Sequence, residues 1–173
     1  MSITETLAQT KAVFADISKL LASHTDADLL KAPAGKWSCA QQALHLVISQ
    51  KSTTVAYKVP GFAVGLLYGK RAGGVSRSYD EIVAAYQGHL NNGAKAPAEY
   101  VPKTDGKVDK QRLIASFNKA GENYLAAAAT KTEKELDTLQ VKHPLLGKLT
   151  LRELAYFTLY HNRHHLKSMQ GLV

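Results

Sequence analysis

Helical periodicity is the feature that most constrains the fold of this 173-residue chain. Between residues 3 and 22, apolar side chains recur at spacings of three and four, with Thr, Lys and Asp between them. This spacing is typical of a helix that buries one face. No segment sustains the alternation of apolar and polar residues that a half-buried strand requires. The sequence therefore predicts an all-α protein.

Two capping boxes mark the starts of further helices. Ser38 is followed by Gln41, and Thr150 is followed by Glu153. In such a box the longer side chain returns a hydrogen bond to the backbone N–H of the cap residue. The two boxes predict helices over about residues 39–55 and 151–170.

The middle of the chain combines helices with loops. An amphipathic stretch that starts at Ser78 or Asp80 is predicted to end near Leu90, and Asp109 is predicted to open a long helix. The segment 93–108 resembles a linker in composition. We therefore predict a single domain over residues 1–173. Its fold is predicted to be a four-helix bundle with a long crossover connection between the second and third long helices.

Composition favours a cytoplasmic, globular protein. Hydrophobic residues make up 45% of the chain, and the single cysteine, Cys39, excludes an intramolecular disulfide framework. No basic leader precedes an apolar run at the N-terminus. The longest uncharged apolar run, VPGFAVGLLYG, is shorter than the roughly 20 residues that span a bilayer. We expect no membrane partner, and a homodimer stays open.

The net charge of +8 does not by itself indicate nucleic-acid binding. The 22 Lys and Arg residues are scattered, and the longest basic run is the pair Lys70 and Arg71. A nucleic-acid surface would gather basic residues on one element and interleave them with aromatic side chains. We therefore expect a solvated basic surface and no nucleic-acid partner.

Three of the seven histidines lie within five positions of the last predicted helix. Each helical residue advances about 100°, so with Leu151 at zero His161 and His165 fall near 280° and 320°, on the inward face. His164 falls near 220°, on the border of that face. The charged residues of this helix, Glu153 among them, fall on the opposite side, which is predicted to be exposed.

Histidines four residues apart on a helix can both reach a single ion. Two interpretations of the inward pair stay open at this point. The pair ligates a metal, or each imidazole hydrogen-bonds a carbonyl, a tyrosine or water.

A third ligand is not determined by spacing alone. His45 lies inside a predicted helix, where it shares an arc with Gln41, Ser49 and Ser52. This polar arc either faces water or lines a cleft at one end of the bundle.

The sequence resembles the DinB superfamily, including its YfiT-like branch of metal-dependent enzymes. The resemblance is carried by GKWS at 35–38, QQALHLVIS at 41–49 and PLLGKLTLRELAYFTLYHNRHHLKSM at 144–169, and it covers nearly the whole chain. It implies a divalent metal ion bound by a histidine of the second helix and an H-x-x-x-H pair of the last. On this sequence those ligands are His45, His161 and His165, with no ligand role for His164.

The resemblance also implies a class of reaction. Family members include transferases that conjugate a low-molecular-weight thiol to an electrophile, and we expect that activity here. A metal-dependent hydrolase, or a metal-binding bundle without catalysis, is the alternative. No carboxylate neighbours the histidines as in H-E-x-x-H, which favours thiol attack over hydrolysis. Three imidazoles suit Zn²⁺ best, with Ni²⁺ or Mn²⁺ as alternatives.

The remaining candidate residues are predicted to be structural. Cys39 lies in the first helical turn, where the dipole favours a thiolate, but no histidine neighbours it in sequence, so we expect a packed side chain. Trp37 is predicted to pack as a hydrophobic staple. Tyr156 and Tyr160 are predicted to point outward. Three other histidines are predicted to be exposed: His24, His89 and His143.

Overall fold

The computed structural model describes residues 1–103 and 106–172, which are mainly helical. The four long helices are α1 (Ile3–Ser23), α3 (Cys39–Lys58), α6 (Lys110–Ala128) and α8 (Leu151–Gln170). The shorter helices are α2 (Asp26–Leu30), α4 (Gly61–Tyr68), α5 (Tyr79–Asn91) and α7 (Glu133–Thr138). Strands β1 (Gln140–His143) and β2 (Gly147–Thr150) form an antiparallel hairpin, and 3-10 turns lie at Ala72–Gly74 and Ala98–Tyr100. No helix within the described ranges is long and apolar enough to cross a membrane.

The four long helices form a bundle in which α1 and α3 lie diagonally. Each of these two helices packs against both α6 and α8. The connection from α3 to α6 carries α4 and α5, and α5 packs on the outside of α8. The predicted four-helix bundle with a long crossover connection between the second and third long helices is thus confirmed.

Local capping hydrogen bonds set where the long helices begin. The Ser38 hydroxyl accepts from the Gln41 backbone N–H, and the Gln41 side chain accepts from the Ser38 N–H. Thr150 and Glu153 form the same reciprocal pair at the start of α8. Because both boxes were predicted from sequence, the start of each helix was predicted within one residue.

The core centres on aromatic contacts between α1 and α6. The rings of Phe14 and Phe117 meet edge to face with centroids 5.7 Å apart, and Tyr124 lies 6.3 Å from Phe14. A Cβ atom at Gly121 would lie 2.7 Å from the Phe14 ring. Only glycine at that position therefore lets α1 and α6 approach this closely.

Three short helices and the hairpin were not predicted. Each hairpin strand has four residues, too few to show a sustained alternation, and α4 has the glycine-containing sequence GFAVGLLY, which has poor helix propensity. The predicted linker 93–108 contains the 3-10 turn Ala98–Tyr100. Two of its residues, Thr104 and Asp105, lie outside the described ranges.

Candidate metal centre

Three histidine side chains meet inside the bundle, one from α3 and two from α8. The Nε2 atom of His161 lies 3.1 Å from Nε2 of His45 and 3.2 Å from Nε2 of His165. All three side chains are buried. The four-residue spacing places His161 and His165 on one face of α8, and the packing of α3 on α8 brings in His45. The structure thus brings together the three residues predicted as ligands.

The outer nitrogens of two of these rings are held by hydrogen bonds. Nδ1 of His45 lies 2.8 Å from the carbonyl oxygen of Tyr100, and Nδ1 of His165 lies 2.9 Å from Oε1 of Gln42. The Gln42 amide also donates from Nε2 to the carbonyl of Trp37, at 3.3 Å, which fixes the orientation of the amide. Both Nδ1 atoms therefore carry the ring proton, and both Nε2 atoms present lone pairs to the centre.

This donor set fits a divalent metal ion. Only His161 can offer an N–H to the centre, and one proton cannot make two good hydrogen bonds to two lone pairs. A tetrahedral ion with bonds of about 2.0–2.1 Å holds its nitrogen ligands roughly 3.3 Å apart. The observed separations of 3.1 and 3.2 Å are close to that spacing. The three histidines thus form a group that could hold a metal ion.

Burial keeps all three imidazoles neutral. Desolvation lowers the pKa of His161 and His165 well below the ordinary histidine value, and it also lowers the pKa of His45. For His161, positive charge on the neighbouring His165 and His45 would lower the pKa further. The hydrogen bond to the Tyr100 carbonyl partly offsets the effect at His45. Neutral imidazole is the form that binds metals, so the site is ready for an ion at neutral pH.

A partly open cavity of about 180 Å³, here called the histidine cavity, lies against the three rings. Trp37, whose ring centroid is 5.0 Å from that of His45, forms part of its wall. Ser49 and Ser52 of α3 also line it. Of the two alternatives left open for the polar arc of α3, the structure supports the cleft for the part that holds these serines and His45.

His143 also lines the histidine cavity, although it was predicted to be exposed. The hairpin turns this half-buried ring toward α8, where its centroid lies 4.3 Å from that of Phe157. Its Nδ1 accepts from the backbone N–H groups of Leu145 and Leu146, at 3.2 and 3.1 Å. The ring is therefore the Nε2–H tautomer. Burial, with a smaller effect of positive charge on His89, lowers its pKa to about 4.

The predicted exposed face of α8 is wrong over its first turns. Glu153 and Tyr156 are buried, and Tyr160 is half-buried. The Tyr156 hydroxyl donates to the Met1 carbonyl at 2.7 Å. The helical wheel assumed one solvent-exposed side, but α8 is contacted by α1, α3, α5, α7 and β2. Its N-terminal half therefore has no free face.

Five other side chains that the sequence singled out have the following positions. Cys39 is packed as predicted, and its thiol donates to the Met169 carbonyl at 3.6 Å; burial raises its pKa, contrary to the expected effect of the dipole. Trp37, predicted as a staple, contributes to the cavity wall. His89 is exposed as predicted, whereas His24 is half-buried at the end of α1. His164 is half-buried and lines the cavity, at the border where the wheel placed it.

Comparison with known proteins gives one family and one solved structure. The family model of the DinB superfamily matches residues 9–169. The structure of YfiT from Bacillus subtilis, described as a probable metal-dependent hydrolase with an unusual four-helix bundle topology, is similar with a TM-score of 0.66. The two chains are 18% identical, and the match covers 99% of this chain and 87% of YfiT. At that identity the likeness shows the fold alone. No curated protein matches the chain.

Proposed function

The chain belongs to the DinB superfamily, and we propose that it is a metal-dependent enzyme whose ion is held by His45, His161 and His165. The observation that carries this proposal is the convergence of three Nε2 atoms, two of which have their ring protons committed to Tyr100 and Gln42 on the outer side. Such a donor set leaves at least one nitrogen lone pair at the centre without a hydrogen-bond donor among the three rings. We expect Zn²⁺, with Ni²⁺ or Mn²⁺ as alternatives, because three neutral imidazoles suit these ions.

When bound, the ion would supply a Lewis acid that lowers the pKa of a coordinated water or thiol toward neutrality. The protein's own residues would hold the ion and shield the reacting group from water. The three histidines would supply three of the ligands of the ion, and the histidine cavity that they line leaves room for a further ligand. Aromatic and apolar side chains of this cavity would exclude water from the reacting group.

Conjugation of a low-molecular-weight thiol to an electrophile is the activity we propose first. Among the described residues that line the histidine cavity there is no aspartate or glutamate to act as a general base for water. A second, more open recess of about 480 Å³ lies next to the cavity and shares Trp37, Lys95 and His165 with it. Two adjoining recesses beside one metal centre favour a reaction between two substrates. Lys36, which lines only the second recess, gives it a positive charge that suits the carboxylates of common thiols.

Hydrolysis is the second candidate. The half-buried imidazole of His164 lines the cavity, and burial lowers its pKa, so it is neutral at pH 7 and can accept a proton from water. The description of YfiT as a probable metal-dependent hydrolase is consistent with this candidate.

The test separates the two reactions in one set of assays. Zinc-loaded protein is given a panel of thiols with a halogenated aromatic or an epoxide, and separately a panel of aryl esters and amides without thiol. We expect thiol conjugation well above the rate of the His161→Ala variant, with His89→Ala, an exposed histidine, as the matched control. Hydrolysis without any conjugation would put the second candidate first. If neither rate exceeds that of His161→Ala, the site is not catalytic.

A further inference from the structure

The histidine cavity has the size of a single aromatic ring with a small substituent. Its volume is about 180 Å³, and a buried apolar cavity of about 150 Å³ is known to hold benzene. Because the cavity is partly open, a substituent can extend toward solvent. This inference rests on the proposed function, since it takes the cavity beside the metal centre as the substrate site.

The wall of the cavity is mainly aromatic and aliphatic. The ring of Tyr86 meets that of Phe157 edge to face, with centroids 5.2 Å apart, and lies 6.0 Å from that of His161. Trp37 and Leu145 add further apolar surface. Such a wall favours a flat, apolar ring over a sugar or a peptide backbone, because Ser49 and Ser52 give it few hydroxyl partners for a ligand with many polar groups.

The charge around the cavity has one sign. Lys95, exposed in the segment between α5 and Tyr100, is the one Lys or Arg among its described lining residues, and no aspartate or glutamate is among them. His143 adds a neutral donor, since its Nδ1 already accepts from the hairpin and its Nε2 carries the proton. A ligand anion would therefore find donors, and a ligand cation would find no carboxylate.

We propose that the substrate in the histidine cavity is a compact single-ring molecule that carries a negatively charged group, with the ring between the metal centre and Lys95. The anionic group is bound by Lys95 at the rim, and the reacting group faces the three histidines. Lys95 would thus determine specificity without taking part in the chemistry.

Three probes with the same body and different charge test this directly. Phenylacetate, phenylacetamide and 2-phenylethylamine are titrated into the zinc-loaded and the metal-free protein, and binding is followed by the fluorescence of Trp37, the single tryptophan, which lines the cavity. We expect phenylacetate to bind about fivefold more tightly than the amide, and the amine to bind least.

The variant Lys95→Met keeps most of the apolar stem and removes the charge. We expect it to bring phenylacetate affinity down to that of the amide and to leave amide affinity unchanged. Lys119→Met, which removes one exposed lysine of α6, is the matched control and should keep the preference for the acid. Equal binding of the three probes, no binding of phenylacetate, or an acid preference that survives in Lys95→Met would overturn the proposal. The last outcome would assign the preference to the metal.

Zinc affinity is measured in the same samples by competition with a chelator. If the wild type does not bind zinc but prefers the acid in a way that depends on Lys95, the proposed function is overturned and this inference is supported. If the wild type binds zinc but shows no preference for the acid, this inference is overturned and the proposed function is supported.

Discussion

The two halves of α8 differ in how their buried polar groups are partnered. At its N-terminal end, Glu153 is 0% exposed, yet both carboxylate oxygens are fully partnered. They accept hydrogen bonds from the side chains of Arg71 and Arg77 and from the backbone N–H groups of Arg77, at 2.7 Å, and Thr150, at 3.0 Å. Two turns further on, His161 is buried to a similar degree, and its Nε2 faces two other imidazole nitrogens.

The difference indicates which buried polar group serves the fold and which serves a ligand. Burial alone would raise the pKa of Glu153, but the bonds from Arg77, Thr150 and Arg71 outweigh burial and lower it, so the carboxylate stays charged. The cluster holds the loop after α4 against the start of α8. At the histidine site, by contrast, the Nδ1 atoms of His45 and His165 are hydrogen-bonded to Tyr100 and Gln42, whereas the Nε2 atoms at the centre do not have a donor for every lone pair. A cation held by these nitrogens is the partner that we propose for this arrangement.

The largest effect is expected from removing the buried charge of Glu153. Glu153→Gln should lower the free energy of unfolding by roughly 3 kcal/mol, because it leaves two partly buried guanidinium groups without their counter-charge. Zinc affinity should not change. Urea denaturation checks the stability, and Glu81→Gln is the matched control, since Glu81 occupies the same capping-box position in α5 but is exposed. Equal losses of unfolding free energy in the two variants would show that the burial of Glu153 adds nothing to stability.

The histidine site should instead change the stability of the protein only when metal is bound. Free zinc at about 100 times its Kd should raise the free energy of unfolding of the wild type by about 2.7 kcal/mol. His161→Leu should abolish this gain and leave the metal-free protein within about 1 kcal/mol of the wild type, because it removes at most one good hydrogen bond from the centre and keeps an apolar side chain there. Denaturation with and without a chelator measures both quantities. A large loss of metal-free stability would mean that the imidazoles are satisfied by one another.

The hydrogen bond between His165 and Gln42 can be tested by substitution of Gln42. Gln42→Met removes the acceptor that orients His165, and we expect zinc affinity to fall about 10–100-fold. Gln42→Glu, which keeps an acceptor, should restore most of it. Gln41→Met is the control: it breaks the capping box of α3 and so costs stability of about 1 kcal/mol, but it should leave zinc affinity unchanged. Equal affinity losses at positions 41 and 42 would point to a general disturbance of α3.

The smallest effect concerns pH at the cavity wall. His143 has a folded-state pKa of about 4, below its unfolded value of 6.5, so the unfolded chain binds its proton first as pH falls. The stability contributed by neutral His143 is therefore present above pH 6.5 and is lost between pH 6.5 and 4. Over that window the metal-free wild type should lose about 1–2 kcal/mol more than His143→Asn does. His89→Asn, which alters an exposed histidine, should behave like the wild type.

Sequence reasoning succeeded where the cause is local. The starts of α3 and α8 were predicted because a capping box involves four consecutive residues, and the inward direction of His161 and His165 was predicted because one helical turn relates them. It failed at Glu153, whose burial depends on arginines about 80 positions earlier in the chain.

The rest of the site depends on tertiary contacts. Nothing in the sequence around Gln42 or Tyr100 indicates that they orient histidines, since each acts on a residue brought close only by folding. His45 itself was assigned from the family resemblance, because its wheel position fitted water as well as a cleft. His143 was missed because its hairpin is too short to be recognised by alternation.

The central claim is that three histidines, and not their neighbour, hold one metal ion. The direct measurement is zinc affinity, by chelator competition with metal analysis, for His45→Ala, His161→Ala, His165→Ala and His164→Ala. The account predicts one zinc per wild-type chain, losses above about 100-fold for each of the first three variants, and a much smaller loss for the fourth. Equal losses in all four variants, or zinc bound normally by any of the first three, would contradict it.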